Sequence, residues 1–267
     1  METNQTSAQT PVAVGRSKIK WLGGLLAILI IGGGTVGLLV WTKSAAHPQV
    51  PVVWTLDNVA SIGGHKPEVL GAPEIVDAAT GGPALRFNGQ SDGLFVPVNP
   101  LAGWSKFTVE VLFLPETNCP EEQRFVYVTD DNGDRVTLET RSADGRSWCL
   151  DTCLWSGDNN QTLRDTAALH PNGKWAWVAL VYDGETMSHY VNGVKELESG
   201  IAFAPMTGGQ VSLGVRNDRR YWFKGCIKEV RFIPEPLDSN ALQRVSEKQL
   251  AINETARRLA SAGHAKS

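Results

Sequence analysis

Seven Asn-Gly or Asp-Gly dipeptides fall between residues 88 and 193: Asn88-Gly89, Asp92-Gly93, Asn132-Gly133, Asp144-Gly145, Asn172-Gly173, Asp183-Gly184 and Asn192-Gly193. Both pairs tolerate the positive φ angles of the tight turns whose twist matches a β-hairpin. A chain bent this often is predicted to be antiparallel sheet. The runs between the bends agree with that. FTVEVLFLP, from Phe107 to Pro115, places Phe107, Val109, Val111 and Phe113 on one face, and FVYVTD and RVTLETR flank the Asn132-Gly133 turn. In KWAWVALVYDGETMSHYVNGVKEL, Trp175, Trp177, Ala179 and Val181 share one parity while Ala176, Val178, Leu180 and Tyr182 share the other. Both sets are apolar, as in a strand covered on both faces, so the large aromatics here are read as core. Helical periodicity is absent before residue 237, and two packed sheets over residues 52–236 are the expected way to bury these faces.

The ends of the chain read differently. Residues 1–20 are polar and aperiodic, and are expected to be a disordered tail. Between Lys20 and Lys43 lie 22 residues without a formal charge. As a helix, Trp21 to Trp41 covers about 31 Å, close to the hydrocarbon thickness of a bilayer. A Trp at each end suits the two interfaces, and the cluster Arg16, Lys18 and Lys20 before the span predicts a cytoplasmic amino terminus and an extracytoplasmic remainder. The alternative is a signal peptide cleaved near Ser44-Ala45-Ala46, although the apolar run exceeds the usual length. Gly33 and Gly37 form a GxxxG that suits helix pairing. Residues 42–51 make a short Pro-containing linker.

The formal net charge of -3 divides unevenly, with residues 1–46 contributing +3 and the remainder -6. A mildly acidic outer part gives no basic face for nucleic acid. Outside the cytoplasm the four cysteines, Cys119, Cys149, Cys153 and Cys226, are disulfide candidates. In a regular strand Cys149 and Cys153 lie about 13 Å apart, too far to bridge, so each is expected to seek Cys119 or Cys226. A zinc site is the weaker alternative, because CxxxC has no neighbouring His. From Ser239, an N-cap type, Leu242, Val245, Gln249, Ile252, Ala256 and Leu259 recur at spacings of three and four. This predicts an amphipathic helix over residues 237–262 that starts against the sandwich and ends free, with a partner or self-association as the alternative.

Several of these pieces together resemble the laminin G-like jelly roll of the concanavalin A-like lectin and glucanase superfamily. They are ALRFNGQSDGLFVP (Ala84 to Pro97), FTVEVLFLP, KWAWVALVYDGETMSHYVNGVKE, VSLGV (Val211 to Val215) and FKGCIKEVRFIPEPLDSNAL (Phe223 to Leu242), spanning most of residues 80–242. The resemblance implies a two-sheet antiparallel jelly-roll sandwich whose relatives bind glycans or proteins, some through calcium. It carries over no ligand residue, because binding positions in such folds lie in variable loops.

The residues themselves argue against catalysis. Glucanases of this kind place two carboxylates about 5.5 Å apart across a glycosidic bond, commonly from one strand. Glu110 and Glu229 each stand alone on their strands, and Glu110 is read as a lone polar residue on the solvent face. His47, His65, His170, His189 and His264 show no metal-binding spacing, and neither a Gly-x-Ser-x-Gly nor a phosphate loop occurs. Asp130, Asp131 and Asp134 offer oxygen ligands for calcium, but Arg135 stands where a calcium loop needs Gly, and a hairpin with acidic shoulders is the simpler reading. Two loops remain as binding candidates. Trp155, Asp158, Asn159 and Asn160 combine an aromatic face with amide and carboxylate groups suited to a sugar. Arg216, Asp218 and Arg219 add guanidinium forks for acidic groups. The expected function is a membrane-tethered, non-enzymatic glycan-binding module with no cofactor, calcium being the alternative. The alternative is an envelope protein-interaction domain.

Overall fold

The structure, a computed structural model, describes residues 49–246. The fold described here lies within the unit Pro48–Ser267. The expected tail (1–20), membrane span (21–41), most of the linker, and the 247–262 part of the expected helix lie outside the described residues. Among the described residues no helix is long and apolar enough to cross a membrane.

Sixteen strands follow one another among the described residues. The first five are β1 (Val52–Thr55), β2 (Glu68–Leu70), β3 (Glu74–Asp77), β4 (Pro83–Asn88) and β5 (Gly93–Val96). The next six are β6 (Phe107–Pro115), β7 (Glu122–Thr129), β8 (Arg135–Arg141), β9 (Ser147–Ser156), β10 (Asn159–Arg164) and β11 (His170–Pro171). The last five are β12 (Ala176–Tyr182), β13 (Thr186–Val191), β14 (Val194–Gly200), β15 (Gln210–Leu213) and β16 (Lys224–Ile233). They form two eight-stranded antiparallel sheets. The first has the order β14-β13-β12-β6-β16-β4-β3, with β1 also on β16, and the second has the order β10-β9-β8-β7-β15-β5-β2, with β11 also on β9. Long β16 serves two neighbours along one edge: Lys224 to Ile227 pair with β4, and Glu229 to Phe232 pair with β1.

Period-two patterning explains the core. Phe107, Val109, Val111 and Phe113 of β6 and Ala176, Val178, Leu180 and Tyr182 of β12 face inward, against Val126, Val128, Val136, Leu138, Leu150 and Leu154 of the second sheet. At its centre Phe113 stacks on Phe125 at 4.4 Å and meets Trp148 edge-on at 5.1 Å, the geometries that aromatic quadrupoles favour. The opposite parity of β12 is also buried, with Trp175 and Trp177 in one outer cluster and Ala179 and Val181 in another.

The glycine corners divide into two kinds. Asn132-Gly133, Asp144-Gly145, Asp183-Gly184 and Asn192-Gly193 lie between strands paired in one sheet, and in the two-residue turn at Asn192-Gly193 both residues have positive φ, 49° and 74°. Asn88-Gly89, Asp92-Gly93 and Asn172-Gly173 instead lie where the chain passes from one sheet to the other. At the first crossing Asp92 accepts hydrogen bonds from the amides of Ala72 and Asn88, so the carboxylate satisfies backbone donors that lack a ladder partner there.

Residues 237–246 depart from the expected helix. They form one turn, with the Ala241 and Leu242 amides donating to Asp238 O, and then an irregular strap over the outer face of the first sheet. The reason is competition for donors. The Leu237 amide goes to Thr108 Oγ1 at 2.9 Å and the Gln243 amide to Glu110 Oε1 at 2.7 Å, while Leu242 and Val245 bury against the outer clusters. Glu110 is therefore not a solvent-face residue. It is 1% exposed beneath the strap, paired with Arg231 at 3.0 Å, and burial pushes its carboxyl up despite that partner.

The disulfides expected from the sequence do not form, and Cys119, Cys149, Cys153 and Cys226 are all free. Strand parity explains this. Cys149 and Cys153 share one face of β9 with Asp151, whereas Cys226 packs on the outer face of the other sheet beside Ala84 and Leu112. Cys119, between β6 and β7, accepts a hydrogen bond from Asn172 Nδ2 at 3.5 Å.

Candidate functional site

The outer face of the second sheet carries charge where the first carries apolar side chains. Alternate residues of β7 to β10 point there: Arg124 and Tyr127, then Arg135, Thr137, Glu139 and Arg141, then Asp151, Cys153 and Trp155, then Asn160, Thr162 and Arg164. With Arg216 they line a cleft of about 360 Å³.

The floor holds two carboxylates that antiparallel register sets directly opposite each other, Glu139 on β8 and Asp151 on β9. Asp151 is 1% exposed and Glu139 4%. Asp151 Oδ2 accepts from Arg141 Nε at 2.7 Å and lies 3.6 Å from Arg164 Nη1, while its Oδ1 has no hydrogen-bond partner. Glu139 Oε2 lies 3.1 Å from Arg124 Nη2 and 3.8 Å from Arg141 Nη2, in a geometry that makes no hydrogen bond. Glu122 closes the network by pairing with Arg124 and Arg141. Burial first, and then the charge of Asp151 beside it, pushes the Glu139 carboxyl up to about 7. Asp151 is raised as well, by burial.

The upper part of the cleft is aromatic and cationic. The Arg135 guanidinium lies 4.0 Å from the centre of the Trp155 ring, whose Nε1 donates to Gly157 O. Arg216 lies 3.4 Å from Asp218, with its Nε buried and unpaired.

The predicted binding residues meet here only in part. Trp155, Asn160 and Arg216 line the cleft, although Trp155 to Gln161 is the β9–β10 hairpin rather than a loop. Asp158 and Asn159 sit exposed at its tip. Asp218 is taken by Arg220 at 2.6 Å, and Arg219 pairs with Glu68 at 2.9 Å. Asp130 accepts from the amides of Asn132, Asp134 and Thr207 and from Thr207 Oγ1, and Asp134 accepts from Ser156 Oγ and the Gly157 amide. These two carboxylates tie the β7–β8 turn to its neighbours while Asp131 is exposed, and no metal-ligating group of three occurs among the described residues. The floor residues Glu139, Asp151, Arg124, Arg141 and Arg164 were not singled out by the sequence. Their only signal is RVTLETR with polar residues at alternate positions, which becomes a site once β9 is registered beside it.

A larger recess of about 710 Å³ lies beside Trp148, His170 and Trp175. It is bounded by Arg244 and Val245, next to the last described residue, whereas every residue lining the cleft lies well inside the described range.

Comparison with known proteins bears on this fold. Residues 88–243 match a laminin G family within the concanavalin A-like lectin/glucanases superfamily. The chain belongs to this superfamily. No curated protein sequence matches it. Among solved structures, the binding domain of Paraclostridial Mosquitocidal Protein 1 is similar with a TM-score of 0.57 at 11% identity, over 78% of this chain and 52% of that one. The binding domain of botulinum neurotoxin serotype D gives 0.53 at 12%, over 72% and 49%. Botulinum neurotoxin type C, whose cell entry depends on interaction with two ganglioside molecules, gives 0.52 at 10%, over 72% and 49%. This superfamily chain thus spans about half the length of those three, and the likeness is one of fold.

Proposed function

We propose that this protein is a non-enzymatic glycan-binding module whose site is the cleft over β7 to β10, tethered to a membrane by residues 21–41. One observation carries the reading: a buried carboxylate oxygen without a donor, Asp151 Oδ1, at the floor of a cleft edged by amide, hydroxyl, aromatic and guanidinium groups. That combination of acceptors, donors and a ring edge suits a polyhydroxylated ligand. The superfamily supports it, since its name joins lectins to glucanases. Binding is favoured over hydrolysis because both floor carboxylates are almost wholly buried, Asp151 at 1% and Glu139 at 4% exposed, which leaves little of either to flank a glycosidic bond. The tether rests on the 22 uncharged residues between Lys20 and Lys43, with the C-terminal part outside the cytoplasm, and a reporter fused after Ser267 that is active only in the cytoplasm contradicts that orientation.

A glycan array probed with the full-length chain, with calcium and with chelator, tests the reading. It predicts bound glycans that Trp155→Ala loses. Silence under both conditions favours the alternative, a protein-interaction domain. Release of reducing sugar that Glu139→Gln abolishes overturns the non-enzymatic reading.

A further inference from the structure

Five arginines line this one cleft, in a chain whose formal net charge is -3. Four of them have carboxylate partners: Arg124 and Arg141 share Glu122 and Glu139, Arg141 and Arg164 share Asp151, and Arg216 faces Asp218. Asp218 is itself divided, because Arg220 holds it at 2.6 Å. Arg135 has no ion-pair partner among the described residues. Its guanidinium carbon lies over Trp155, 4.0 Å from the ring centre, and a cation held over a ring keeps N–H groups to donate elsewhere. Arg216 adds a buried Nε–H that no protein acceptor takes.

We infer that the cleft selects an acidic saccharide, one bearing a carboxylate of the uronic-acid type, with Arg135 on its Trp155 platform as the anion-binding group and Arg216 as its second donor. The inference rests on the reading of the cleft as a glycan site and adds the charge of the ligand to it. A guanidinium fork matches a carboxylate with two parallel N–H donors, which an ammonium does not reproduce. A neutral sugar offers these N–H groups single hydroxyl acceptors, without the negative charge or the paired oxygens of a carboxylate.

Calorimetric titration of the full-length chain with an oligogalacturonate, with its carboxyl-reduced neutral counterpart, and with polyglutamate as a non-sugar polyanion tests this. The acidic saccharide is expected to bind at least tenfold more tightly than the neutral one, with polyglutamate weaker than both. Arg135→Ala is expected to remove that preference, weakening the acidic saccharide at least tenfold more than the neutral one, and Arg135→Lys, which keeps charge without the fork, to restore only part of it. Circular dichroism checks that both variants fold. Equal affinity for the acidic and neutral saccharides overturns the inference and leaves the glycan reading standing. Equal affinity for polyglutamate reduces the effect to charge alone and overturns the saccharide assignment. Failure of both saccharides to bind overturns the glycan reading and this inference with it.

Discussion

Glu139 and His189 are buried titratable residues on opposite sheets, and they pull stability in opposite directions with pH. The Glu139 carboxyl rises from 4.5 to about 7 on folding, so the folded state holds its proton longer than the unfolded chain does. Stability is therefore lost as pH rises from 4.5 through 7. His189 is fully buried, shares a 3.0 Å hydrogen bond with Thr152 Oγ1, and is lowered from 6.5 to about 4, chiefly by burial. The unfolded chain takes up that proton first, so stability is lost as pH falls from 6.5 through 4. Urea unfolding across this range should therefore separate the two residues. Relative to the parent, Glu139→Gln gains stability as pH rises from 4.5 to 7, and His189→Gln gains it as pH falls from 6.5 to 4. Each difference is bounded by about 3 kcal/mol, since a tenfold change in proton affinity is worth roughly 1.4 kcal/mol. A variant that tracks the parent throughout removes that residue from the account.

At the scale of elements, the strap 237–246 does what an edge helix does elsewhere in α/β packing. It covers Trp175, Trp177, Ala179 and Val181, which otherwise leave an apolar face on water. Its anchor is the Glu110–Arg231 pair, with Glu110 also accepting from Gln243. Arg231→Ala leaves a buried carboxylate without its cation, and is expected to cost about 3 to 5 kcal/mol. Leu242→Ala, which removes a side chain 4% exposed, is expected to cost about 2 to 5 kcal/mol. Chemical unfolding measures both, and losses below about 1 kcal/mol mean that the strap does not contribute to the fold. The strands beneath it were readable in the sequence because β-period and glycine corners are local signals: KWAWVALVY announces a strand buried twice over. What covers its outer face was not readable. Leu242 and Val245 satisfy a helical repeat as well as they satisfy an irregular strap, and only the competing acceptors Thr108 and Glu110 decide between them.

Across the whole molecule the same division holds. The two-sheet sandwich follows from alternation and from seven corners, yet which corners turn within a sheet and which cross between sheets is a property of pairing 100 or more residues apart, as in β16 on β6. The candidate site has that non-local character. Trp155 and Arg216 were visible as an aromatic and a fork, but the carboxylates between them came into view only when β8 registered against β9 and set Glu139 beside Asp151. Cysteine pairing fails for the same reason, since the sheets place Cys226 and Cys149 on opposite outer faces. The central claim is a location, and amide hydrogen exchange of the full-length chain with and without a bound oligosaccharide tests it most directly. Slowed exchange is expected along β8, β9 and β10, from residue 135 to residue 164; slowing confined to the recess beside Trp148 and Trp175 contradicts the account.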